Sequence, residues 1–252
     1  MRKFFKLEKG VFDEKLDWHA WKPFYYEIAD RLCLNPEQDF HATNILDSLL
    51  KGQDPIPLLD ELENIIQGRV IVVCGAGPSL ERHLRKLMDQ TDWEKLKFIA
   101  ADGAASALHD SQIRCDVIVT DLDGNVPLIV KMAMENSLPI VHAHGDNIHK
   151  VKEYIPKFNH VLGSTQVIPT DHVFLWGGFT DGDRACFLAS HYSPEKIILV
   201  GMDYGKIVGK WSKPGQEDHF PATPQKQEKL RIAKELVSYL KATKKVRIEE
   251  MI

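Results

Sequence analysis

The sequence predicts an α/β protein with a mainly parallel sheet covered by helices on both faces and preceded by a helical amino-terminal segment. Three observations predict it. Up to residue 68 the apolar residues recur at helical spacing. From Arg69 onward, short β-branched runs alternate with stretches of helical period, the pattern of strand-helix units in parallel sheets. Acidic residues and glycines then collect where the apolar runs end, and open α/β sheets place their ligand crevice outside the carboxyl ends of their strands.

Trp21, Tyr25, Ile28 and Leu32 mark a first helix. Asn35-Pro36 reads as a cap and first-turn proline opening a second helix through Ile45, Leu46, Leu49 and Leu50. Leu58, Leu59, Leu62, Ile65 and Ile66 form the apolar stripe of a third, and Gly68 suits its stop. These residues read as core. Strands are predicted at Val70–Cys74, Phe98–Ala101, Val117–Thr120, Pro139–His142, His160–Leu162, Val173–Trp176 and Ile197–Val200. Helices are predicted at Ser79–Gln90, Val126–Asn136, Asn147–Lys157 and Arg184–His191. Lys206–Pro224, broken by Gly209, Pro214, Gly215 and Pro221, reads as a loop of a length that suits a lid. A helix over Gln225–Lys241 and an edge strand at Val246–Ile248 close the chain. Residues 1–68 are thus a helical region and residues 69–252 a Rossmann-like α/β domain.

The 252 residues are 44% hydrophobic and 27% charged, an ordinary balance for a soluble chain able to bury a full core. A net charge of −4 with scattered Lys and Arg offers no field for nucleic acid. No run approaches the roughly 20 apolar residues needed to cross a bilayer. The opening Met1-Arg2-Lys3-Phe4-Phe5-Lys6 lacks the apolar core and cleavage site of a signal peptide, so a cytoplasmic location is expected. Cys33, Cys74, Cys115 and Cys186 lack metal-site spacing and read as free thiols.

The densest chemistry lies in Ala101-Asp102-Gly103-Ala104 and Val117-Ile118-Val119-Thr120-Asp121-Leu122-Asp123-Gly124. If the extended run continues through Leu122, Asp121 and Asp123 share one face. Adjacent carboxylates repel and need a cation; Mg²⁺ held by carboxylates and substrate phosphates suits them. A single aspartate here would read as a helix cap, but three at two strand ends favour a site. Gly75-Ala76-Gly77-Pro78-Ser79 joins a strand to a helix, where glycines admit a phosphate and free N–H groups attract it. Leu80 stands where a dinucleotide fingerprint has its third glycine, and a tight turn without ligand explains the turn equally well. His142 and His144 lack a close third ligand for zinc and read as hydrogen-bonding groups. In Gly177-Gly178-Phe179-Thr180-Asp181-Gly182-Asp183-Arg184 the glycines allow close backbone approach, Asp183 can orient a hydroxyl or metal water, and Arg184 can reach phosphate; the alternative is a turn and helix cap. For Asp146 and Asp203 the sequence does not choose between site and turn.

Taken together these motifs resemble the archaeal 6-hydroxymethyl-7,8-dihydropterin diphosphokinase family, itself similar in its catalytic region to thiamine pyrophosphokinases. The resemblance spans about Gly75 to Lys213. Thiamine pyrophosphokinases usually carry Asp-Gly-Gly-Ala, Gly-Asp-x-Asp-Ser/Thr and Gly-Gly-Arg-x-Asp-His. Here Ala104 replaces the second glycine, Thr120 and Gly124 flank the acidic pair, and Phe179 follows Gly178, departures that agree with the pterin branch. The resemblance implies Mg²⁺ on ATP held by Asp102, Asp121 and Asp123. It puts Gly75, Gly77, Pro78, Ser79, Gly103, Gly177 and Gly178 beside the nucleotide and Asp183 and Arg184 beside the transferring group. The implied reaction moves the terminal diphosphate of ATP to a primary hydroxyl and releases AMP, in tetrahydrofolate or methanopterin biosynthesis. Trp176, Phe179, Tyr204, Asn125 and Asn147 are candidates for the pterin ring. Thiamine transfer and a metal-dependent sugar transfer are the alternatives. A homo-oligomer is compatible with the sequence.

Overall fold

A computed structural model describes residues 17–90, 92–243 and 246–251. The opening Met1 to Lys6, on which the expectation about a signal peptide rests, lies outside them. The first three helices are α1 (Trp18–Leu32), α2 (Pro36–Leu50) and α3 (Ile56–Ile66). Asp17 caps α1 by accepting from Ala20 N at 2.8 Å, and Asn35 caps α2 by accepting from Glu37 N at 3.0 Å with Pro36 following it. Cys33 ends α1 in the left-handed region.

An eight-stranded, wholly parallel sheet follows. Its strands are β1 (Val70–Cys74), β2 (Lys97–Ala101), β3 (Val117–Thr120), β4 (Leu138–His142), β5 (Leu162–Ser164), β6 (Val173–Phe174), β7 (Lys196–Val200) and, at the far end of the chain, β10 (Arg247–Glu250). A pair of two-residue antiparallel strands, β8 (Ile207–Val208) and β9 (Phe220–Pro221), sits inside the segment expected to be plain loop. The intervening helices are α4 (Leu80–Gln90), α5 (Ala104–Asp110), α6 (Val126–Met134), α7 (Ile148–Tyr154), α8 (Asp181–His191) and α9 (Pro224–Thr243). Helix α5 was not expected, because its seven residues are too few to show a period.

The sheet order is β10-β7-β1-β2-β3-β4-β5-β6. After β1 the chain steps one way to β2, and after β7 it leaves toward β10 the other way. A topological switch therefore opens between the carboxyl ends of β1 and β7.

Strand residues alternate between two apolar layers. Ile71, Val73, Ile99, Val117, Val119, Ile197 and Leu199 face α1, α3, α8 and α9, while Val72, Cys74, Ala100 and Ile118 face α2, α4, α5 and α6. The amino-terminal helices thus divide between the two faces of the same sheet and make no separate core. Trp21, Phe24, Tyr25 and Ile28 are fully buried, and burying each such side chain contributes about 1.5–3 kcal/mol. Cys74, Cys115 and Cys186 are buried free thiols and Cys33 is an exposed one. Among the described residues no helix is long and apolar enough to cross a membrane.

Candidate active site at the carboxyl edge of the sheet

Asp102 follows β2 with a φ of 44°, a left-handed conformation, and Gly103 then caps α5. The residue is only 8% exposed, and its Oδ1 accepts from Thr120 Oγ1 at 2.5 Å. Asp121 follows β3, and the expected extension through Leu122 does not occur. Leu122 has a φ of 65° and is fully buried, and its amide donates to Thr120 Oγ1 at 2.8 Å. The cost of that turn is offset by burying the leucine side chain. Asp121 and Asp123 therefore do not share a strand face. Asp123 instead pairs with Lys150 at 3.0 Å and with Lys213.

The third carboxylate beside Asp102 and Asp121 is Asp181. Among the described residues these three form the one group of His, Cys, Asp or Glu that could hold an ion, with one ligand atom of each within 4.8 Å of the others. Burial and the neighbouring charge of Asp121 push Asp102 up to about 7. Burial, then Asp121 and Asp102, drive Asp181 well above the carboxylate range. Burial also opposes the charge on Asp121, but His144, whose Nε2 lies 3.6 Å away, holds it below that range. On Asp123 Lys213 and Lys150 overcome burial and bring the carboxyl down to about 2.

Asp183 and Arg184 sit beneath this cluster and do not line it. Asp183 is fully buried and closes the capping box of α8, accepting from Phe179 N, from Thr180 N at 2.9 Å and from the Thr180 hydroxyl. These bonds leave it a structural part, a correction to its expected contact with the transferring group. Arg184 is 1% exposed and donates from Nη2 to Phe179 O at 2.9 Å, with Nε and Nη1 buried and unpaired. Burial lowers its pKa, with Asp181, Asp183 and Asp121 opposing the fall. Gly178, at a φ of 79°, must lack a side chain because a Cβ would strike the Arg184 backbone. Gly177 is likewise buried in the turn leading to α8.

The glycine turn after β1 also differs from a phosphate cradle. Asp203 Oδ2 accepts from Ser79 N at 2.9 Å and from Ser79 Oγ at 2.6 Å, so a carboxylate of the protein already occupies the anion position at the start of α4. Gly75 and Gly77 are required by the backbone of Gly201, whose carbonyl would lie 2.7 Å and 2.5 Å from their added Cβ atoms. Both line the crevice, as does Gly103, while Pro78 does not. The Lys206–Pro224 segment straps the site from above. Trp211 packs its carbonyl on Gly103 and donates from Nε1 to Glu81 at 3.0 Å, Lys210 pairs with Glu81 at 2.9 Å, and Lys213 reaches Asp123.

Two cavities meet at the carboxylates. The smaller, about 140 Å³, occupies the crevice between Gly75–Gly77, Met202–Tyr204 and α9. The larger, about 750 Å³, opens toward α2 and is bounded by Asp39, His142, His144, Gln166 and Phe179. Asp121, Asp123, Thr180, Asp181, Lys213 and Lys226 line both. Of the expected ring-binding residues, Phe179 and Tyr204 face cavities, whereas Trp176 is packed in the core. Asn125 is a helix cap, and Asn147 spends its amide on Asp121 O and His142 O. Asp146 lines the larger cavity and Asp203 the smaller. His142 is held neutral by burial and by Arg184.

The parallel sheet with a switch point, and the acidic cleft at its carboxyl edge, define a Rossmann-like α/β protein with a two-chambered site. The family is more specific. Residues 43–209 match the family described as 6-hydroxymethylpterin diphosphokinase MptE-like, and the chain belongs to that family. It is 43% identical over 235 residues to the 6-hydroxymethyl-7,8-dihydropterin pyrophosphokinase of Pyrococcus furiosus, covering 93% of this chain and 99% of that one. Enzymes of the same name from Methanocaldococcus jannaschii and Methanothermobacter thermautotrophicus are 40% and 35% identical, over 90% and 93% of this chain and 96% and 99% of theirs. A solved structure, the MAf glycosyltransferase from Magnetospirillum magneticum AMB-1, aligns with 75% of this chain and 36% of its own at 17% identity and a TM-score of 0.43.

Proposed function

We propose that this pterin diphosphokinase uses ATP as donor, transferring its terminal diphosphate to the hydroxymethyl oxygen of 6-hydroxymethyl-7,8-dihydropterin and releasing AMP. Family membership and the names of its relatives support the acceptor and the transferred group. The observation that supports a transfer between two bound molecules is the meeting of two cavities at one group of carboxylates, since such a transfer needs both reacting ends at one place. In phosphoryl transfer, positioning and charge neutralisation supply almost all of the catalysis, so a site without a protein nucleophile suffices.

Asp102, Asp121 and Asp181 fit Mg²⁺. They are hard oxygen donors, and burial together with mutual repulsion raises two of them, a strain that a dication relieves. Bound there, Mg²⁺ would neutralise phosphate oxygens. In the transfer the acceptor oxygen bonds to the β-phosphorus, the bond from that phosphorus to the oxygen it shares with the α-phosphate breaks, the electron pair leaves with AMP, and the hydroxyl proton passes to solvent. Thr120 fixes the Asp102 carboxylate, and His144 favours the ionised form of Asp121. The product would feed tetrahydrofolate or methanopterin biosynthesis in the cytoplasm.

The test is product analysis with Mg-ATP and the dihydropterin. One AMP should appear per pterin diphosphate, with thiamine a much poorer acceptor. Stoichiometric ADP, or preferential turnover of thiamine or a nucleotide sugar, overturns the reading.

A further inference from the structure

The junction between the cavities is lined by cations as well as carboxylates. Lys213 and Lys226 both line the smaller and the larger cavity. Lys213 stands on the exposed strap and its ammonium is taken by Asp123, which also holds Lys150 at 3.0 Å. Lys226 differs. It stands in the first turn of α9, where Lys226 N donates to Thr223 Oγ1 at 3.2 Å, so the backbone at its root is fixed.

The Lys226 side chain is half-buried and no carboxylate among the described residues lies within ion-pair distance of its ammonium. The charges facing it are Asp181 and Asp121 on the site side and Lys229 and Lys213 on the helix and strap. Burial pushes its pKa down, and the two lysines add to the fall against the two aspartates. An ammonium taken partly out of water without a contacting anion is costly, and the cost is recovered when an anion arrives. The space it faces is the junction itself.

We infer, on the basis of the diphosphokinase reading above, that Lys226 is a catalytic residue whose ammonium contacts the phosphate oxygens transferred at the junction of the two cavities. Asp121, Asp181 and Lys226 line the same junction, so a polyphosphate whose metal the aspartates hold there would also meet the ammonium. Lys226 there neutralises charge on the oxygens of the diphosphate in transfer, an interaction stronger in the transition state than in the bound substrate.

The experiment compares full-length wild-type protein with Lys226→Gln, Lys226→Met and Lys226→Arg. Steady-state kinetics are combined with calorimetric titration of inorganic pyrophosphate in Mg²⁺ buffer. Lys226→Gln and Lys226→Met should lower kcat by about 100-fold while the KM for the pterin moves less than about threefold. Both should weaken pyrophosphate binding by about tenfold, and Lys226→Arg should recover at least a tenth of the wild-type kcat. Lys226→Met keeps the aliphatic stem, so it reports on charge even if the glutamine variant folds poorly. A kcat within threefold of wild type in either neutral variant overturns the inference. So does unchanged pyrophosphate affinity. If wild type makes ADP or ignores the pterin, the diphosphokinase reading fails instead, and the pyrophosphate titration still decides whether Lys226 binds phosphate.

Discussion

Replacing Asp102 by Asn should stabilise the metal-free protein at pH 8 while abolishing turnover. The carboxyl is raised from 3.8 to about 7, first by burial and then by the charge of Asp121. Because the folded-state pKa lies above the unfolded one, ionisation is penalised in the fold. The penalty is absent below about pH 4, grows as pH rises toward about 7 and is complete above it. At about 1.4 kcal/mol per pKa unit, the ceiling is about 4 kcal/mol. Asparagine keeps the Thr120 hydrogen bond through Oδ1, but its amide would face the backbone N–H of Gly124, a donor to the Asp102 carboxylate, so that bond is lost. Losing that bond costs about 1–3 kcal/mol, leaving a net gain of about 2 kcal/mol. For a domain of this size the gain raises the Tm by roughly 4–8 °C. Thermal melts in EDTA at pH 4, 6 and 8 should show the variant's advantage opening with pH. Added Mg²⁺ should narrow it, because only the intact carboxylate set gains from metal binding. A variant less stable than wild type at pH 8 in EDTA, or an offset independent of pH, would refute this account of Asp102.

Asp121→Asn and Asp181→Asn should each reduce turnover by about 100-fold or more and weaken Mg²⁺-dependent binding of an ATP analogue, as expected for carboxylates that hold a catalytic ion. Asp123→Asn, which frees Lys150 and Lys213, should cost less than either; a Mg²⁺ titration of turnover checks the order. Gly178→Ala should destabilise by about 2 kcal/mol or more, read from the urea midpoint, since it combines a positive φ with a clash against the Arg184 backbone. Asp39→Ala should cost about 3–5 kcal/mol by urea unfolding. It removes the shared acceptor of Tyr25 Oη at 2.7 Å, Gln166 Nε2 at 2.7 Å and Gly145 N at 2.8 Å, leaving three donors without it.

The sheet was legible because burial on both faces forces continuous apolar runs, and the runs at Val70, Val117 and Ile197 could be little else. Site chemistry was legible by residue type but less so by side-chain direction. Whether Asp123 joined Asp121 turned on one dihedral at Leu122, and leucine carries no local signal for the left-handed region; the buried pocket that its side chain fills is assembled by the rest of the fold. Likewise, nothing near Ser79 announces that Asp203, 124 residues away, takes its amide and hydroxyl. Asp181 is a different case, because a local signal for it was present. Thr180-Asp181-Gly182-Asp183 has the spacing of a capping box, which makes Thr180 the cap and turns Asp183 back onto the backbone. Asp181 is then the first residue of α8, released from capping and set at the carboxyl edge of the sheet beside Asp102 and Asp121. Read as a cap, the motif reverses the roles of its two aspartates: the one that looks available is committed to the helix, and the one before it is left to the cleft.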